Sequence, residues 1–141
     1  MRILSLLALF SLVGFAAAAD DKKTAADTRI FEVRTYYAAP GKMKELHARF
    51  RDHTCKLFEK HGMTLIGFWS PVATKKEPNA AEEKMIYILA YPSKEAADKS
   101  WKAFQNDPVW KAAREASEKE GKLVTKVDSV YMTPTDYSPM K

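Results

Sequence analysis

From position 30 onward the chain switches between two hydrophobic periods. Ile30-Phe31-Glu32-Val33-Arg34-Thr35-Tyr36-Tyr37 concentrates β-branched and aromatic residues and predicts a strand. Pro40-Gly41 breaks it and opens a helix, because proline is tolerated in a first turn where its missing N–H is not needed. The helical period carries to about His61. At 100° per residue, Met43, Leu46, Phe50, Thr54, Leu57 and His61 share one face, while Lys42, Lys44, Glu45, Arg49, Asp52, Lys56 and Glu59 take the other. Glu45–Arg49 and Asp52–Lys56 have the spacing of i,i+4 ion pairs. Gly62 stands where a left-handed residue ends a helix without a Cβ clash.

A second strand is predicted over Met63 to Ser70, stopped by Pro71, and a charged, mobile connection over Val72 to Glu83. Lys84 to Tyr91 reads as a third strand ended by Pro92. Ser93 is a fitting N-cap for the next helix, whose Ala97, Trp101 and Phe104 form a buried stripe. Asp107-Pro108 interrupts that helix and caps a restarted one, Gly121 closes it, and Leu123 to Met132 is the fourth strand. The succession β-α-β-β-α-β predicts an α+β, ferredoxin-like fold: a four-stranded antiparallel sheet with both helices on one face.

The strand patterns carry a further expectation. Met85, Tyr87, Leu89 and Tyr91 line one face of the third strand, and Ile86, Ile88 and Ala90 line the other. The second strand divides the same way, with Met63, Leu65 and Trp69 against Ile66 and Phe68. A sheet face open to water normally carries polar residues, so the face without helices needs cover. A second copy of the chain supplies it in a barrel-like homodimer with the same patch on both subunits. The alternative cover is the tail after Met132, folded back as a lid.

Other features narrow the setting. Residues 1–19 have the form of a signal peptide: Arg2, the apolar run Ile3 to Phe15, then Ala16-Ala17-Ala18-Ala19 ahead of Asp20. The run is shorter than the roughly 20 residues of a spanning helix. Cleavage near Ala19 would export the chain to a periplasm or the outside of a cell, with no membrane anchor remaining. Residues 20–28 are polar and aperiodic, a disordered lead to a single domain over 29–141. The net charge of +5 is spread among acidic residues, which argues against nucleic acid as a partner. Cys55 is the one cysteine, so no internal disulfide can form.

Candidate chemistry is sparse. His47, His53 and His61 lie on different faces of the first helix and do not converge as metal ligands do; His61 is placed to favour the helix C-terminus. Cys55 has no histidine on its own face to act as a base. No catalytic residue, metal site or cofactor is assigned. The best ligand-lining candidates are Glu32, Arg34 and Tyr36, which face the dimer barrel if Phe31, Val33 and Thr35 face the helices. Lys126 and Asp128 of the fourth strand would offer Glu32 and Arg34 diagonal cross-strand ion pairs as the competing, structural use. Trp101, Trp110, Tyr87 and Phe104 read as core.

An ordered series of segments resembles the NIPSNAP family: Phe31-Glu32-Val33-Arg34-Thr35-Tyr36 leading to Pro40-Gly41-Lys42, Phe50-Arg51-Asp52-His53-Thr54, Phe58-Glu59-Lys60-His61-Gly62-Met63, Ile66-Gly67-Phe68-Trp69, Tyr87-Ile88-Leu89-Ala90-Tyr91, and Ser129-Val130-Tyr131-Met132 with its proline-containing ending. The resemblance covers about residues 29–141 and implies the dimeric α/β-barrel superfamily. It leads to the expectation of a homodimer that binds a small apolar or aromatic molecule, or a protein partner, in or around the barrel. The alternative is a cofactor-light enzyme, monooxygenase- or isomerase-like, as occur in that superfamily.

Overall fold

The computed structural model describes residues 29–141. The signal-peptide and lead assignments, 1–19 and 20–28, lie outside those residues. Strand β1 (Ile30–Ala38) is followed by helix α1, which runs through Met43–Arg49, a π-helical turn at Phe50–Thr54, and Cys55–Lys60. Then come β2 (Thr64–Trp69), a one-turn helix α2 (Ala80–Glu83), β3 (Lys84–Tyr91), α3 (Lys94–Asn106), α4 (Pro108–Ser117) and β4 (Val124–Met132). The sheet order is β2-β3-β1-β4 with every pair antiparallel, and α1, α3 and α4 cover one face. This is the expected ferredoxin-like α+β arrangement.

Local chemistry explains most boundaries. Gly62 has φ +79° after α1, the left-handed C′ conformation that its position predicts. Ser93 Oγ accepts from the Ala96 N–H at 3.2 Å, and Asp107 Oδ1 accepts from the Val109 N–H at 2.7 Å, so both expected caps are in place. Pro40-Gly41, by contrast, forms a turn ahead of α1, with Gly41 at φ +72°, and the helix starts at Met43. The connection 72–83 is not wholly irregular, because α2 buries Ala80.

Two irregularities change which residues face the core. In the π turn, Thr54 Oγ1 donates to the Arg49 carbonyl at 3.2 Å. The extra residue shifts the phase of α1, so the single polar face read from a 100° period does not hold: Arg49 is buried, and so are Phe50, Leu57 and Phe58. Neither predicted i,i+4 pair forms around it; Arg49 instead reaches Glu118 at 3.0 Å. In β2, the register slips between Leu65 and Gly67. This bulge turns both Leu65 and Phe68 to the helix side, against the simple alternation, and leaves Trp69 opposite Ile86 on the other face. Trp69 lies over Gly67, where a Cβ would come within 2.6 Å of its ring.

Phe50, Phe58, Tyr87, Phe104, Leu46, Leu89 and Met85 form the core between sheet and helices. Edge-to-face and tilted ring pairs tie it together, including Phe50–Tyr87 at 5.3 Å and Phe58–Phe104 at 4.9 Å. Each fully buried large side chain contributes about 1.5–3 kcal/mol. Across the sheet, Val33, Ile88 and Val130 align in register on the face without helices. There Val130 is 56% exposed and Trp69 49%. Pro134 and Met140 of the tail border a cavity of about 290 Å³ with Phe31, Ile88 and Met132, so the tail covers part of that face and leaves Val130 and Trp69 exposed.

Candidate functional site

Glu32, Arg34 and Tyr36 project together from alternate positions of β1, but toward the helices, not toward the open face. Phe31, Val33 and Thr35 take the open face. The expected orientation is therefore reversed. The physical reason is that the helix layer supplies what a buried carboxylate needs. Glu32 is 0% exposed, and all of its acceptor capacity is used. Its Oε1 accepts from Arg34 Nη1 at 2.6 Å and Ser129 Oγ at 2.6 Å; its Oε2 accepts from Tyr91 Oη at 2.8 Å and Trp101 Nε1 at 2.7 Å. The donors come from β1, β4, β3 and α3.

Burial alone would push the Glu32 carboxyl up. The Ser129 hydrogen bond, the Arg34 charge and the Trp101 indole outweigh it and hold the group below its ordinary value of 4.5. Burial likewise works against the charge on Arg34, but Tyr87, Tyr36 and Glu32 around it raise its pKa, and it remains a cation. Burial and the adjoining carboxylate raise the Tyr91 phenol, which stays a donor at neutral pH. Lys126 and Asp128 take no part: they pair with each other at 2.9 Å, and Tyr37 Oη donates to Asp128. They align with Tyr37 and Thr35, on the opposite face from Glu32 and Arg34, so the predicted diagonal ion pairs cannot form.

Arg34 forms the end of a larger space. Between the helices and the β4 side of the sheet lies a cavity of about 490 Å³, with Arg34, Tyr36, Arg49, Trp101, Phe104 and Trp110 among its walls. Phe104 sits 5.6 Å from Trp101 and 4.5 Å from Trp110, ring centre to ring centre, so the three make a continuous aromatic wall. Each arginine lies across one end of it: the Arg34 guanidinium is 4.3 Å from the Trp101 ring and that of Arg49 is 5.2 Å from Trp110. Arg49, Trp101 and Trp110 were missed as site residues by sequence reasoning. The two tryptophans share the spacing of core residues, and Arg49 fell on the polar face of an unbroken helix. The tryptophans carried only the signal of a side chain with a polar N–H at buried spacing, and Arg49 carried none.

The remaining candidates separate. His61 Nε2 lies 2.7 Å from Asp107 Oδ2, which also accepts from Lys60 Nζ at 2.7 Å, so His61 links α1 to the cap of α4 rather than merely facing its own helix end. His47 Nε2 lies 3.5 Å from Ser70 Oγ, and His53 is exposed. Among the described residues, no cluster of histidine, cysteine and carboxylate side chains is arranged to hold a metal. Burial and Glu59 push the Cys55 thiol up, which disfavours a thiolate. No described helix is long and apolar enough to cross a membrane.

Comparison with known proteins gives a consistent result. The NIPSNAP family model matches residues 31–139. Among solved structures, an uncharacterised NIPSNAP-like domain protein from Burkholderia xenovorans aligns over 80% of this chain and 90% of its own, with TM-score 0.66 and 16% identity. A NIPSNAP family protein from Agrobacterium tumefaciens aligns over 80% and 99%, with TM-score 0.65 and 23% identity. SnoaB, a cofactor-independent oxygenase from Streptomyces nogalater, shares the fold at TM-score 0.51 and 12% identity, over 79% and 98%. A search of curated proteins finds no match.

Proposed function

Since the chain belongs to the NIPSNAP family, we propose that it is an exported homodimeric binding protein that holds a small aromatic molecule between its sheet and its helices. The cavity of about 490 Å³ walled on one side by Tyr36, Trp101, Phe104 and Trp110 carries this reading, because its volume falls within the range of small-molecule sites and its aromatic wall suits a flat ligand. Pairing through the open sheet face is supported by exposed Val130 and Trp69, which the tail does not reach. Export is supported by the form of residues 1–19.

Tryptophan fluorescence tests the binding reading. Trp101 and Trp110 wall the cavity, and Trp69→Phe removes the signal from the opposite face. Saturable quenching by naphthalene derivatives, abolished in Trp110→Ala, is the expected result. If no derivative of any charge quenches saturably, the binding reading fails.

A second reading, a cofactor-independent oxygenase, is favoured by one observation: the shared fold with SnoaB. Oxygen uptake with an electron-rich aromatic substrate and no added metal or flavin would support it. Binding without uptake supports the first reading.

A further inference from the structure

The walls of the cavity are strongly unequal in charge. Arg34, Arg49, Lys111, Arg114 and Lys122 face Glu118 as the lone carboxylate among the lining residues. Glu118 is already engaged, accepting from Arg49 at 3.0 Å and Arg114 at 3.2 Å. Glu32, behind the wall, is saturated with donors. Five cationic side chains thus share this cavity with one carboxylate, and neither Lys111 nor Lys122 has an acidic partner among the described residues.

The two arginines are also incompletely bonded. Arg34 gives Nη1 to Glu32, its one hydrogen-bonded partner among the described residues, and its Nε is buried without a partner. Nε itself is closed to a water-sized atom, so a ligand carboxylate would meet the remaining, partly exposed guanidinium, whose planar N–H donors suit an anion. Arg49, whose side chain is 4% exposed, gives Nη1 to Ser117 and Glu118, and its buried Nε is likewise unpartnered. A buried donor without an acceptor costs free energy that folding does not recover. Here two such donors occur at one cavity, on either side of one aromatic wall.

We propose that this cavity selects an anionic ligand: a planar aromatic carboxylate, packed against the Trp101–Phe104–Trp110 wall with its carboxylate at the Arg34 guanidinium. The inference rests on the binding reading above and adds the charge of the ligand to it. Lys111 and Lys122 draw the anion in, so its affinity falls with ionic strength, whereas that of a neutral analogue does not.

Three probes of one shape test it on the purified protein: 2-naphthoate, neutral 2-naphthamide and cationic 2-naphthylmethylammonium. The carboxylate is expected to bind at least about tenfold more tightly than the amide, as a charge-assisted hydrogen bond provides. The ammonium should bind most weakly. Removing Arg34 alone strands the buried Glu32, so the test variant is Glu32→Gln combined with Arg34→Gln. That variant is expected to keep the amide affinity and lose the preference for the carboxylate. Lys111→Gln, on the exterior, should weaken 2-naphthoate alone and flatten its salt dependence. Equal affinity for all three probes, or preference for the ammonium, overturns the charge inference while leaving the binding reading intact. Absence of binding by all three overturns both.

Discussion

At the scale of single residues, Glu32 is the most consequential side chain of the molecule. Its four donors arrive from three strands and one helix, so it joins the layers as well as the sheet. Glu32→Ala leaves Arg34 buried without its counterion, and such a loss costs about 3–5 kcal/mol. Urea unfolding is the measurement, with the midpoint falling and the slope unchanged. The Glu32→Gln, Arg34→Gln pair should cost less than Glu32→Ala, because no charge is left stranded. Asp107 is the second carboxylate under tension. Hydrogen bonds from Lys60 and His61 hold its pKa well below the ordinary 3.8, as the surroundings of Glu32 hold that group below 4.5. A depressed carboxylate contributes stability that is fully present above its unfolded value and is lost as pH falls through its folded value. Thermal midpoints should therefore hold steady above about pH 5 and decline in acid. In Asp107→Asn the midpoint at neutral pH should be lower and the acid decline shallower. That Glu32, Arg34 and Tyr36 act as a group was legible in their alternation along β1. Which side they face was not, because alternation fixes only relative facing, and the deciding group was an indole N–H 69 positions away in a residue that reads as core.

At the scale of elements, helix and strand identities followed from hydrophobic period and punctuation. The turn residues marked the ends of α1, α3 and α4 through chemistry that needs no tertiary context. Gly62 is a direct test. Its backbone is left-handed, and a Cβ there would meet Ser100 only at an ordinary 3.7 Å. Gly62→Ala should therefore destabilise the fold by about 1–2 kcal/mol through backbone strain alone, read by chemical denaturation. The π turn and the β2 bulge escaped the sequence for a shared reason. Each inserts one residue into a regular period, and the preference for it comes from what both flanks gain in packing. Arg49 and Phe58 cannot both be buried by a straight helix of this sequence, and Leu65 and Phe68 cannot both face the helices on a regular strand. Trp101→Phe probes the helix-to-sheet link: it keeps the ring but removes one of Glu32's donors. A loss of about 1.5–3 kcal/mol is expected, as for other hydrogen bonds to charged groups.

At the scale of the whole molecule, both faces of the sheet carry apolar side chains, Phe31, Val33, Ile86, Ile88 and Val130 on the open one, but only one face is covered by helices. Val130 sits on the open face along edge strand β4, in register with Val33 and Ile88. Val130→Lys should convert a dimer to a monomer in light scattering while leaving the circular dichroism spectrum unchanged. A wild-type monomer at micromolar concentration would sink the pairing. Expression of the whole chain with its first 19 residues, followed by intact mass, reads whether cleavage falls after Ala19. The sheet order and the one-sided helices were legible from element order, since the connections allow few topologies. The cavity was not, because it is bounded by residues from five separated segments, and no short motif encodes it.

The π turn of α1 has a consequence for the tolerance of this chain to length change. Omitting one residue from 50–54 would remove the bulge and leave an ordinary α-helix in which Arg49 and Phe58 stand eight positions apart, about 80° around the axis, so both keep their present side. Straightening the turn with all its residues kept would instead rotate everything beyond it by about 100°, and either Arg49 would leave the cavity or Leu57 and Phe58 would leave the core. The irregular turn thus absorbs one extra residue so that one helix serves two neighbours, and the chain should accept the loss of one of exposed Arg51, Asp52 or His53 more readily than a further residue inserted beside them.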